Sequence, residues 1–390
     1  MINFWPLLLP AAAWSGWWVA HRSYEKNKGK QVGHPFSREY VVGLNYLLNE
    51  QPDKAVDVFI KLLEVDTDTA ETHLALGSLF RRRGEVDRAI RIHQNLIARP
   101  QLSLLQRKEA LMALAHDYMS AGVFDRAERI FLEVVDIGGT REVNSLRGLL
   151  AIYQQEKAWD SALDVLKKIE VSTGTSMHSQ AAHYYCEIAS EFLKHNAFDK
   201  AHQAIKQALT IDRSSVRASL MSANLEIRNG RYKQAIRDLK RVPDQDPEFL
   251  TEIIEPLVTC YRELDNMEEC IDYLEETLTD HPRSSLIFVI GDYLRQEKNI
   301  DVAIDFVSTK LGQHPSIRGL NRLIYWHLES AQGKVRSKLQ MLYDITSKFL
   351  HNKPVYRCGH CGYSGKLLHW FCPSCKNWGR MKPIHGLEGD

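Results

Sequence analysis

The sequence predicts an all-α superhelical solenoid with a transmembrane helix at its N-terminus and a small four-cysteine metal knuckle at its C-terminus. Three observations predict it. An uncharged apolar run extends from Ile2 to Ala20, a small residue recurs every 33 to 39 residues through the middle, and two Cys-x-x-Cys pairs stand near the end. At 390 residues the chain is long for one compact core, so several units or one extended array are expected.

In the first element, Asn3 and Ser15 are the only clearly polar residues between Ile2 and Ala20. A helix rising 1.5 Å per residue over that stretch spans roughly 30 Å, about one hydrocarbon core. Trp5, Trp14, Trp17 and Trp18 suit the membrane–water boundary. Pro6 and Pro10 fall in the first turns, where proline is best tolerated. Arg22, Lys26, Lys28 and Lys30 follow the run with Glu25 as the one acid among them, so the positive-inside rule places the rest of the chain in the cytoplasm. The competing reading, a cleaved signal peptide, needs a basic segment before the run and small residues after it. The first is missing, and Trp17 and Trp18 occupy the cleavage zone. Residues 1–21 are read as the anchor and 22–36 as a basic juxtamembrane linker.

The second element is a repeat array. Ala55, Ala89, Ala127, Ala162, Ala201, Ala235, Cys270 and Ala303 occupy one recurring small position. Twelve residues earlier stand Gly43, Gly77, Ala115, Leu150, Ala189, Ala223, Val258 and Gly291. Nine earlier stand Tyr46, Phe80, Tyr118, Tyr153, Phe192, Glu226, Tyr261 and Leu294, mostly aromatic, with Glu226 the clear exception. Gly84, Gly122 and Gly230 fall where the two helices of a unit turn. A period near 34 with this residue pattern is that of the tetratricopeptide repeat. Each unit is a helical hairpin that buries its apolar faces only against its neighbours, with the small positions allowing close helix approach. Another helical-hairpin solenoid is the rival and changes little functionally. Residues 37–350 are assigned to this solenoid, about eight to nine repeats, with a helical pair at roughly 317–350 as its cap. Such a stack presents a concave groove suited to peptides or protein partners. The basic triplet Arg81-Arg82-Arg83 reads as a solvated helix end rather than an acidic-partner site.

The third element is residues 351–390. Cys358 and Cys361 form one pair, Cys372 and Cys375 the second. Four thiolates in two tight turns supply the tetrahedral sulfur cage that iron or zinc takes, and spacing does not separate the two metals. A segment this short rarely folds on an apolar core alone, so the metal is expected to hold it together. Tyr356, Tyr363, Trp370, Phe371 and Trp378 are expected to cluster around the cage, and His360 and His369 to be surface residues. Lys353, Arg357, Lys366, Lys376, Arg380 and Lys382 make the unit basic, which favours a protein-docking face or anionic lipid beside an anchored chain over nucleic acid. The remaining cysteines, Cys186, Cys260 and Cys270, sit at helix-packing positions and read as buried thiols. An odd cysteine count of seven suits a reducing compartment. The net charge of +1 gives no overall field for nucleic acid. No phosphate loop, nucleophile elbow or His-Glu-x-x-His is present, so no enzyme activity is expected.

The two knuckles, Cys358-Gly359-His360-Cys361-Gly362-Tyr363 and Cys372-Pro373-Ser374-Cys375, look like those of rubredoxin, with a shorter connection and with Lys376 where a glycine is usual. The order of anchor, repeat array and knuckle resembles the lipopolysaccharide assembly protein B family of Gram-negative bacteria along essentially the whole chain. The most specific stretches run from Gly84 to Gln94 and from Tyr356 to Cys375, followed by Lys382-Pro383-Ile384 and Gly386-Leu387. That resemblance implies an inner-membrane adaptor that promotes degradation of the deacetylase LpxC by the membrane protease FtsH, restrained by a lipopolysaccharide-sensing membrane protein. It implies Cys358, Cys361, Cys372 and Cys375 as the ligands of one iron or zinc ion. A passive scaffold gathering lipopolysaccharide-synthesis enzymes is the alternative, and a membrane-tethered electron carrier a third.

Overall fold

The computed structural model describes residues 70–139, 142–387 and 389, with scattered positions between Val42 and Val58. The uncharged run at the N-terminus lies outside the described residues. Among those described, no helix is long and apolar enough to cross a membrane.

The chain divides into two compact units, residues 1–152 and 153–390. In the first, α1 (Ala70–Arg82), α2 (Val86–Ile97), α3 (Leu104–Ser120), α4 (Phe124–Ile137) and the start of α5 (Glu142–Glu156) form successive antiparallel hairpins. The second continues with α6 (Trp159–Thr173), α7 (His178–Lys194), α8 (Phe198–Ile211), α9 (Val216–Arg228), α10 (Tyr232–Lys240) and the short α11 (Val242–Gln245). After a 3₁₀ turn at Pro247–Phe249 come α12 (Leu250–Glu263), α13 (Met267–Asp280), α14 (Ser284–Glu297), α15 (Ile300–Gln313), α16 (Ile317–Ser330) and α17 (Gly333–His351). A three-stranded antiparallel sheet ends the unit, with β1 (Tyr356–Cys358) between β2 (Ser364–Gly365) and β3 (Met381–Pro383).

The recurring residues each have a physical task. All eight small positions, Ala55 through Ala303, are fully buried. The residue nine before them closes the hairpin with its carbonyl. Phe80, Tyr118, Tyr153, Phe192, Glu226 and Tyr261 each accept a backbone N–H from five residues on, at 2.8–3.0 Å. The chain then turns through a left-handed residue, a helix-ending geometry that glycine adopts without strain. Gly84, Gly122 and Gly230 serve there, but Lys157, Asn196 and Asp265 take the same conformation, with φ of 58°, 55° and 53°. In four units a cation just before the small position lies over the aromatic ring: Lys54 over Tyr46, Arg88 over Phe80, Arg126 over Tyr118 and Lys200 over Phe192, at 5.5–5.8 Å. The exception, Glu226, is 2% exposed and substitutes an ion pair with Arg231 for the ring-and-cation contact.

In the first unit, a buried polar link ties three successive helices. Asp117 on α3 receives Arg81 of α1 at 2.7 Å and His93 of α2 at 2.5 Å. Arg81 is therefore committed to the interior, and Arg83 pairs with Glu85 at 3.3 Å, as expected of a helix end. In the second unit, one continuous apolar cluster runs from Val216 to Trp326 and takes in Cys260 and Cys270.

Candidate metal centre

Both cysteine pairs are held by the same backbone device. The N–H of Cys358 donates to the Tyr363 carbonyl at 2.7 Å, and Gly362 turns back to the Cys358 carbonyl at 3.0 Å with φ of 77°. In the second knuckle Cys372 donates to the Asn377 carbonyl and Lys376 to the Cys372 carbonyl, each at 3.0 Å. Lys376 has φ of 57°, so it takes up the left-handed turn that Gly362 fills in the first knuckle. The Gly359 N–H of the first turn donates to the Arg380 carbonyl beyond the second, and the Gly379 N–H closes the base of the second turn on the Trp370 carbonyl, both at 2.8 Å.

This brings the four sulfurs together within 4.8 Å of one another. Cys358 Sγ lies 3.8 Å from Cys375 Sγ, and Cys361 Sγ 3.7 Å from Cys372 Sγ. A tetrahedron of sulfurs about 2.3 Å from a central ion has edges of about 3.8 Å. The cage therefore fits one ion, and the separations are far too long for disulfides. Among the described residues no histidine or carboxylate joins the group. The Tyr363 amide lowers the pKa of Cys361, and hydrogen bonds from Asn377, side chain foremost, hold Cys375 down at about 5. Burial instead raises Cys372 to about 11. The exposed side of the cage is thus poised to give up its protons, and a bound cation would draw the buried thiol into the anionic form.

Of the aromatic residues expected around the cage, Tyr356 packs against the Cys358, Cys372 and Met381 cluster, whereas Trp370 and Trp378 turn away to the repeats. These two tryptophans form a keel between knuckle and repeats. Trp370 stacks on Phe249 at 5.3 Å, and Trp378 stacks on His183 at 5.3 Å with Tyr184 and Trp159 at its edges. The Arg217 guanidinium lies 5.9 Å from the centre of the Trp378 ring and pairs with Glu187 at 2.8 Å. Polar clamps surround the keel. Tyr356 donates to Glu252 at 2.8 Å, and Lys382 pairs with Asp246 at 3.0 Å and with Glu248 at 2.5 Å. The segment beyond β3 runs on to the start of α16, where Leu387 accepts from the Ile317 amide and Gly389 from the Ser316 hydroxyl, each at 3.0 Å. The knuckle thus bears on residues contributed by α6, α7, α9, α12 and α16.

The rubredoxin metal binding domain profile matches residues 356–383, and tetratricopeptide repeat profiles match residues 72–104 and 192–255. The chain is 38% identical over 384 residues to lipopolysaccharide assembly protein B of Escherichia coli K12, covering 98% of both chains. The chain belongs to the lipopolysaccharide assembly protein B family. The Haemophilus influenzae member is 34% identical, with both chains covered in full. Among solved structures, the crystal structure of MamA is 18% identical, with 47% of this chain and 96% of that one aligned at a TM-score of 0.32.

The stretches that carried the resemblance in the tail, Lys382 to Ile384 and Gly386-Leu387, are those that dock it. The solenoid side of that contact left no sequence signal of its own. Trp159, His183, Phe249 and Glu252 read as ordinary helix residues, and only the folded chain gathers the first three against Trp370 and Trp378 and the last against Tyr356. Burial depresses the His183 imidazole to about 4, with Arg217 adding to the effect, and raises the Glu252 carboxyl. Cys186, Cys260 and Cys270 are buried as expected, and burial pushes Cys186 to about 12 and Cys270 to about 11.

Proposed function

We propose that this chain is an inner-membrane adaptor that regulates lipopolysaccharide synthesis by presenting LpxC to the protease FtsH at the cytoplasmic face. The observation that carries this reading is the family relationship over 98% of the chain, which spans the N-terminal run, the repeats and the knuckle together. Residues 1–21 serve as the anchor, 22–36 as a basic linker, 37–350 as the partner-binding solenoid and 351–390 as the metal-held brace. A lipopolysaccharide-sensing membrane protein would set how much adaptor is free. Tethering substrate capture to the membrane raises the effective concentration of substrate beside a membrane protease, without any chemistry in the adaptor itself. The docked keel supports a structural rather than electron-carrying role for the metal, since Trp370 and Trp378 flank its second pair of ligands and are occupied in packing.

The test is the cellular half-life of LpxC with this protein depleted, normal and overproduced. A half-life that lengthens on depletion and shortens on overproduction is expected. An unchanged half-life discards regulated proteolysis and leaves the passive scaffold.

A further inference from the structure

Among the described helices, α17 is set apart because none of its 19 residues is buried. One face does pack on α16. Leu339, Tyr343 and Leu350 are half-buried there, and Asn321 of α16 donates to Thr346 at 2.7 Å and to Ser347 at 2.9 Å. A second apolar face has no such cover. Val335, Met341, Leu342, Ile345 and Phe349 are 61%, 64%, 50%, 52% and 48% exposed. At about 100° per residue these five share one arc of roughly 120°. Lys334 and Lys338 fall on the same arc and Lys348 about 20° beyond its edge, whereas the helix's one acid, Asp344, lies about 60° off it and accepts from Gln340 at 2.9 Å. Lys353 stands over the Phe349 ring at 4.6 Å. The patch continues onto the knuckle, where Lys366 donates to the His351 carbonyl at 2.6 Å and the next residue, Leu367, is 70% exposed.

The end of a repeat array ordinarily shows water a polar face. This one shows an apolar stripe with lysines set along it and no acid. A second copy pairing through the same face would bring lysine against lysine, which an isologous contact cannot relieve. A bilayer surface relieves both features at once. Apolar side chains enter the acyl boundary while lysine stems extend to the phosphates. We propose that the outer face of α17, extended by Lys366 and Leu367, docks on an anionic lipid surface, holding the far end of the repeats down on a membrane.

The experiment uses the full chain in detergent and in nanodiscs of neutral phosphatidylcholine or of phosphatidylcholine with about a third phosphatidylglycerol, read by hydrogen exchange over residues 333–351. Retention in the neutral discs reports the N-terminal anchor, so the two readings fail separately. Exchange over α17 is expected to slow by roughly tenfold in the anionic discs relative to the neutral ones. The slowing should disappear at high salt and in the variant Lys334→Glu/Lys338→Glu/Lys348→Glu, whose exposed substitutions leave exchange elsewhere unchanged. Equal exchange in both discs overturns the proposal. So does slowing in detergent that grows with protein concentration, which identifies self-association instead.

Discussion

Two residues carry testable consequences at their own scale. Lys157 holds the left-handed turn that glycine holds in three other units, which costs a side chain about 1–2 kcal/mol. Replacing Lys157→Gly exchanges that strain for a more flexible unfolded chain, and a net gain of about 0.5–1 kcal/mol is expected in urea unfolding. His183 sits 7% exposed beneath Trp378, and its native pKa is about 4 against an unfolded value of 6.5. Between those values the unfolded chain binds a proton that the native chain refuses. Stability therefore falls as pH drops from 6.5 toward 4, by up to ~3 kcal/mol. The raised carboxyl of Glu252 works in the opposite sense, its burial penalty easing as it protonates in acid. The variant His183→Gln removes the titrating imidazole along with its stacking on Trp378, so whatever its absolute stability, its unfolding free energy should slope less steeply across that window than the wild type's. An identical slope would mean that His183 is not held neutral.

Among the elements, the knuckle is the one whose fold depends on something other than packing. Its buried apolar set is Cys358, Cys372 and Met381, so two of its three innermost side chains are themselves metal ligands. Metal analysis should return one ion per chain, and Cys358→Ser should remove it. Because Trp370 and Phe371 immediately precede one ligand and Trp378 follows another by three residues, removal should also free the keel. Tryptophan emission should shift to the red, and proteolysis should cut between 351 and 390. The helical signal of the repeats should largely survive. The repeat hairpins were legible in the sequence because their spacing is local: a small residue, a turn and an aromatic recur within one unit. The cage was legible because its four ligands have a fixed spacing. The keel was not, since Trp370 and Trp378 look like the core of a small domain until a distant surface is supplied. Glu226 likewise broke the aromatic pattern without announcing Arg231 as its partner.

Taken as a whole, the second unit combines a fold of neighbour contacts with a single set of distant ones. Trp378→Ala is expected to cost about 3 kcal/mol, the lower end for a large aromatic because the ring is only partly buried, and to destabilise α6 and α7 together rather than the knuckle alone. Hydrogen exchange resolved by helix would read this, and protection lost only in the knuckle would show that the brace carries no load. The distance spanned also has a consequence in time. Tyr356 reaches Glu252 across 104 residues, and His385 reaches the Glu248 carbonyl across 137. Repeats can fold one after another as they leave the ribosome, but the clamp on them cannot close until residues 356–389 have emerged and the thiolates have found their ion. A chain interrupted in that stretch would carry every hairpin and no clamp. Completion of synthesis and supply of metal are thereby written into the stability of the helices made first.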